Sequence, residues 1–186
     1  MKLKKINASL GLLSIFAMIL HISYSIFAYL TMYYNPMMKM IFSVPFIILV
    51  CLHAVFGMAT LFFQSDSSRF DVYKKQNIKT YLQRISAMLI FPLLILHIKT
   101  FSLMQACAEK GFKVFIILLI IAELLFFGVV IMHVALSFTN GFITLGLLSS
   151  FKVKKVVDII IYIIGAFAFL ISAYAVIRGQ AMMFLS

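Results

Sequence analysis

Residues 114–138 read VFIILLIIAELLFFGVVIMHVALSF, an apolar stretch whose only ionisable side chains are those of Glu123 and His133. A helix needs about 20 such residues to cross the hydrocarbon core of a bilayer, whereas the strands of a membrane barrel alternate between polar and apolar residues. Four other apolar stretches of similar length occur in the chain. We therefore predict an all-α integral membrane bundle of five transmembrane helices, at about residues 9–32, 40–63, 82–104, 114–148 and 156–177.

The composition indicates that the chain lies in lipid as a single transmembrane domain over residues 1–186. Hydrophobic residues make up 65% of it and charged residues 11%, so polar surface is too scarce to cover a water-soluble globule. The net charge of +11 does not indicate a nucleic-acid partner, because the charges lie between the apolar stretches. The first stretch follows a basic start, as a secretory signal does, but it is too long for one and no small-residue cleavage pattern follows it.

Lysine and arginine are distributed unequally between the segments that connect the predicted helices. With the N-terminus inside the cell, eleven of the 16 such residues lie in cytoplasmic segments: Lys2, Lys4, Lys5, Arg69, Lys74, Lys75, Lys79, Arg84, Lys152, Lys154 and Lys155. Cytoplasmic loops of membrane proteins are enriched in these residues. We therefore predict a multi-pass protein of the inner (cytoplasmic) cell membrane, with a cytoplasmic N-terminus and an external C-terminus.

All four histidines lie inside apolar stretches, one on each of the first four predicted helices: His21, His53, His97 and His133. A single imidazole in a membrane helix is ordinarily a hydrogen-bonding group between helices. Four of them on successive helices indicate a functional site, because ionisable groups are costly at membrane depth. Zinc would gather its ligands around one point, whereas haem takes two axial imidazoles from opposite helices, so two haems would use all four.

Depth along the helices favours the arrangement with two haems. At about 1.5 Å of rise per residue, His21 and His97 each lie roughly 20 Å from the cytoplasmic helix end, and His53 lies roughly 15 Å from it. We therefore predict an outer pair, His21 with His97, and an inner pair in which His53 faces a residue of helix 4. Two axial imidazoles leave the iron no open position, so such a haem carries electrons.

Two short segments carry a resemblance to a known family. Residues 81–87 read YLQRISA, similar to a Leu-Gln-Arg-Val/Ile-Thr/Ser-Gly motif that precedes a haem ligand, and His97 follows Gln83 by fourteen residues, where that ligand is expected. Residues 52–57 read LHAVFG, similar to the ligand segment of helix 2, and His21 falls within about a residue of the first ligand. Over helices 1 to 4 the chain resembles the membrane-anchor cytochrome b subunit of succinate:quinone oxidoreductases and quinol:fumarate reductases, in the five-helix form with two haems b.

Helix 4 departs from the family pattern. The family's ligand stands four residues before the glycine of a Ser/Thr-Asn-Gly segment, and four residues before Gly141 this chain has Ser137. His133 lies one turn, about 5.4 Å, farther from the cytoplasm. Either helix 4 is displaced so that His133 reaches the iron opposite His53, which we favour, or only the outer haem is present.

The resemblance implies an electron-transfer subunit with no dehydrogenase activity of its own, and the chain contains neither a flavin-binding glycine motif nor a cysteine cluster for iron and sulfur. Its implied partners are a flavoprotein subunit, an iron-sulfur subunit, membrane lipid and a quinone. The basic segment from Arg69 to Arg84 is either a docking face for these subunits or basic only because cytoplasmic loops of membrane proteins are enriched in lysine and arginine.

The resemblance also implies where quinone binds. Related anchors place a quinone site at the positions of Arg84 and Ser86, whereas two-haem members place one near the outer haem, where Tyr34 and Lys99 are the candidates. Glu123, the sole carboxylate in the centre of a predicted span, is either a proton relay or a structural group satisfied by a neighbouring helix.

Two other functions fit the same residues. The first is the cytochrome b anchor of another quinone-linked dehydrogenase or of a hydrogenase, which the neighbouring genes would distinguish. The second is a haem-free membrane transport or assembly protein whose histidines only pack the bundle, which would lack the absorbance of a b-type cytochrome.

Overall fold

Five long helices account for nearly all of the chain that the structure describes. The structure is a computed structural model that describes the backbone of residues 2–63 and 74–185 and the side chains of residues 2–60 and 78–185. The helices are α1 (Lys2–Thr31), α2 (Pro36–Phe63), α3 (Lys74–Glu109), α4 (Lys113–Leu145) and α5 (Phe151–Phe184). No strand occurs in these residues, and each helix is long and apolar enough to cross a membrane. The all-α fold with five membrane-length helices is therefore confirmed, while the orientation in the membrane stays a prediction.

Most helices extend beyond the apolar stretches that predict them. Thus α1 begins at Lys2, α3 begins at Lys74 and α5 ends at Phe184. Backbone hydrogen bonding continues into polar residues because lysine and glutamine are good helix formers. Helix α4 instead ends at Leu145, before the predicted residue 148. Gly146 has a φ of +80°, and the following amide donates back to the carbonyl of Phe142 at 2.9 Å, the glycine-terminated end that many helices share.

The turn between α1 and α2 is held by side-chain hydrogen bonds. The Asn35 side-chain oxygen accepts hydrogen bonds from the amides of Met37 at 2.9 Å and Met38 at 3.3 Å, and so caps the N-terminus of α2. The Tyr24 hydroxyl donates to the Asn35 carbonyl and accepts from its amide, both at 2.8 Å. These contacts make α1 and α2 a closed helical hairpin.

The helices pack as two hairpins with α5 against one side. Helix α1 packs against α2 and α3 packs against α4, while α5 packs against α4 and α1. Contacts between α1 and α4 join the two hairpins. Among the described residues, α1 with α3 and α2 with α4 are diagonal pairs without extensive packing.

A cluster of buried apolar side chains lies at one end of the bundle. Met104, Ile116 and Ile120 are buried where α3 ends and α4 begins, and Phe184 of α5 packs against them. No described side chain of α2 is buried, whereas α4 has buried side chains along its length. The large exposed apolar side chains on all five helices match the surface that hydrocarbon requires.

Candidate functional site

The four histidines form two pairs in the interior of the bundle. The ring centroids of His21 and His97 lie 6.4 Å apart, and those of His53 and His133 also lie 6.4 Å apart. The first pair joins α1 to α3 and the second joins α2 to α4. Each pair therefore spans a diagonal of the bundle, between helices that do not pack extensively against each other.

The separation within each pair matches what two axial ligands require. Two metal-to-nitrogen bonds of about 2 Å each, together with the radii of two imidazole rings, add up to about 6 Å. Among the side chains that the structure describes, no group of three or more His, Cys, Asp or Glu residues could hold a metal ion. Each pair presents two imidazoles, fewer than the four ligands of a tetrahedral structural zinc site.

The inner pair is oriented by hydrogen bonds to backbone carbonyls. His53 Nδ1 lies 3.1 Å from the Asn7 carbonyl of α1. His133 Nδ1 lies 3.2 Å from the Gln83 carbonyl and 3.1 Å from the Ser86 hydroxyl, both on α3. Because a carbonyl only accepts, each Nδ1 must carry the proton, and in the neutral ring Nε2 is then left with its lone pair.

The outer pair is oriented by side chains. His97 Nδ1 lies 2.7 Å from Glu123 Oε2, and the side chain of Glu123 is 3% exposed. His21 Nδ1 lies 3.1 Å from the Ser43 hydroxyl of α2. The Phe126 ring stacks on His97 with centroids 4.9 Å apart, which fixes that ring on a second side.

All four histidines therefore have their Nδ1 atoms engaged. No Nε2 atom makes a hydrogen bond to a residue that the structure describes. Histidines that ligate a metal through one ring nitrogen ordinarily donate the other N–H to a carbonyl or a carboxylate, which fixes the tautomer and the ring orientation. The accepting partners of His53, His97 and His133 thus leave Nε2 of these three rings available as a ligand atom.

Gly11 leaves room for the ring of His53, whereas Ser137 makes its hydrogen bond within α4. A Cβ atom at Gly11 would lie 3.0 Å from Cε1 of His53, so α1 carries no side chain where the imidazole needs room. The Ser137 hydroxyl donates to the His133 carbonyl at 2.5 Å, one turn back along α4. Of the two candidate ligands on helix 4, His133 and Ser137, it is His133 that lies beside His53.

The structure does not bring the predicted quinone contacts together. Arg84 is exposed on α3, while Ser86 is fully buried against His133. Residues two apart on a helix face different directions. Near the outer pair, Lys99 is exposed, and the exposed Tyr34 ring lies 5.6 Å from Lys39 Nζ. Quinone contacts at these four positions, and a proton relay at Glu123, stay predictions.

Sequence reasoning identified the histidines but not the groups that orient them. Asn7, Ser43 and the Gln83 carbonyl reach the rings from neighbouring helices, at sequence separations of 22 to 50 residues. A backbone carbonyl carries no residue signature, and a serine in a membrane helix is too common to indicate a partner. Glu123 stands out because a carboxylate is rare at membrane depth, and Gln83 and Ser86 lie in the YLQRISA segment, although neither signal indicates which histidine is contacted.

No protein-family model, curated protein or solved structure matches this chain. The functional inference consequently depends on the histidine geometry and on the motifs in the sequence.

Proposed function

We propose that this protein is a haem b membrane anchor of a succinate dehydrogenase or fumarate reductase. In this role it carries electrons between a membrane quinone pool and a flavoprotein subunit with its iron-sulfur partner. The observation that supports the proposal most strongly is the pairing of four membrane histidines across two diagonals of the bundle, with 6.4 Å between ring centroids in both pairs.

Under this proposal each imidazole has a defined role. His21 and His97 would hold the outer haem, and His53 and His133 would hold the inner one. The haems supply reversible one-electron transfer through iron. The carbonyl and carboxylate contacts hold the rings of His53, His97 and His133 in one tautomer and reduce the freedom that each would lose on binding. Two imidazoles at each site would leave the iron no position for oxygen, so each site would serve electron transfer.

The choice among haem-bearing anchors depends on the sequence motifs. The YLQRISA segment at residues 81–87 places Gln83 and Ser86 beside His133, so the motif that carries the family resemblance also contacts a proposed ligand. The basic segment from Arg69 to Arg84 is proposed to face the flavoprotein and iron-sulfur subunits. Residues 69–73 of that segment lie outside the described residues.

The proposal is tested by purifying the protein in mild detergent and recording the reduced-minus-oxidised absorbance spectrum. We expect the bands of a low-spin b-type cytochrome and a haem-to-protein ratio near two. A ratio near one would mean that only one pair binds haem. Protein without any b-type band would contradict the proposal and favour the haem-free transport or assembly protein.

The physiological partners are tested by affinity purification of the tagged chain from its native membrane. We expect a flavoprotein and an iron-sulfur protein to co-purify with succinate dehydrogenase or fumarate reductase activity. Co-purification of a formate dehydrogenase or a hydrogenase would instead identify the alternative anchor.

A further inference from the structure

The carboxylate of Glu123 sets the outer histidine pair apart from the inner one. Glu123 is 4% exposed, and its Oε2 lies 2.7 Å from His97 Nδ1. The other three histidines have neutral Nδ1 partners, either a backbone carbonyl or a serine hydroxyl. Burying a carboxylate in a membrane bundle is costly, so its hydrogen bond with His97 requires an explanation.

His97 is the hydrogen-bond partner of the Glu123 side chain. In the part of the chain that the structure describes, no lysine or arginine lies within 4 Å of this carboxylate, and Tyr29 is close enough to interact with it electrostatically. The neighbouring Ile120 and Phe126 on α4 are buried and apolar, and the Phe126 ring stacks on His97. A low-polarity environment strengthens the hydrogen bond between the carboxylate and the imidazole.

We propose that Glu123 is a positioning residue that lowers the redox potential of the outer haem, an inference that rests on the haem-binding function proposed above. By accepting the hydrogen bond from His97 Nδ1, the carboxylate fixes the tautomer in which Nε2 is unprotonated and makes Nε2 a more basic ligand. A more basic axial nitrogen stabilises ferric iron more than ferrous iron. The inner pair, with only neutral acceptors, lacks this effect.

The test is a redox titration of the purified holoprotein and of its Glu123→Gln variant. The amide is close in size to the carboxylate but carries no charge. We therefore expect the preference of the outer site for ferric over ferrous haem to fall about tenfold. That change raises its midpoint potential by about 59 mV for one electron. The outer haem is identified as the one that His97→Ala removes. The midpoint of the inner haem is expected to stay unchanged.

Ser86→Ala is the matched control, because it removes a neutral partner from the Nδ1 atom of His133. It is expected to leave the outer midpoint unchanged. An unchanged outer midpoint in a Glu123→Gln variant that retains both haems would overturn the inference and leave the proposed function intact. Absence of haem from the unmodified protein would overturn both.

A second measurement decides the matter if Glu123→Gln does not accumulate or loses a haem. The chain contains only two glutamates, Glu109 and Glu123. Labelling with 13C-glutamate therefore isolates two carboxyl groups in the redox difference infrared spectrum of the otherwise unmodified protein. We expect a carboxyl band that shifts on 13C labelling and that changes at the midpoint potential of the outer haem. The band should still be present in Glu109→Gln. No such band, or one that Glu109→Gln removes, would overturn the inference.

Discussion

At the scale of single residues, each of the four imidazoles has a polar partner on a neighbouring helix. Ser43, Ser86 and Glu123 each contact a histidine on a neighbouring helix. The histidines could be selected as candidates from the sequence because they are the only imidazoles in the chain and lie in apolar stretches. Their partners could not, because a contact between helices depends on helix rotation and depth, which linear spacing does not determine.

The ligand on α4 can be identified by replacing His133 and Ser137 separately. We expect His133→Ala to reduce the haem-to-protein ratio from near two to near one, because it removes the imidazole beside His53. Ser137→Ala is expected to retain both haems, since that hydroxyl bonds within its own helix. A haem assay on the purified variants measures the ratio. Loss of a haem from Ser137→Ala alone would contradict the assignment.

At the scale of helices, the number and type of elements follow from the apolar stretches. The helix ends could not be predicted in the same way, because the end of an apolar stretch marks only the edge of the hydrocarbon. At the start of α3, for example, the helix includes the polar residues from Lys74 to Lys79. The contacts between helices could not be predicted from hydrophobic periodicity, because side chains that face lipid are as apolar as those that face protein. The place of α5 against α1 and α4 is a finding of the structure.

The contact between α5 and α1 provides a stability prediction. A Cβ atom at Gly179 would overlap Cδ1 of Tyr29, so Gly179→Ala must displace the Tyr29 ring or separate the two helices. We expect a loss of about 1–3 kcal/mol, seen as a lower Tm in detergent. Gly128→Ala is the control, because its Cβ would meet Phe169 at an ordinary distance of 3.8 Å. A Tm for Gly179→Ala equal to that of the control would contradict the prediction.

At the scale of the whole molecule, the distribution of basic residues predicts the orientation in the membrane. The turn between α3 and α4 is expected outside the cell and the start of α5 inside it. In a background without Cys51 and Cys107, a membrane-impermeant thiol reagent should label Lys110→Cys but not Lys152→Cys on intact cells. Both lysines are exposed, so accessibility within the protein does not bias the comparison. The reverse labelling pattern would show that the N-terminus lies outside.

The diagonal histidine pairs have a consequence for assembly. Each pair takes one imidazole from the hairpin of α1 and α2 and one from the hairpin of α3 and α4. A porphyrin seated at either level would therefore crosslink two halves of the polypeptide that the membrane-insertion machinery delivers one after the other. That crosslink would add to the α1–α4 contacts that already join the two hairpins, so cofactor supply would affect how firmly the two halves hold together.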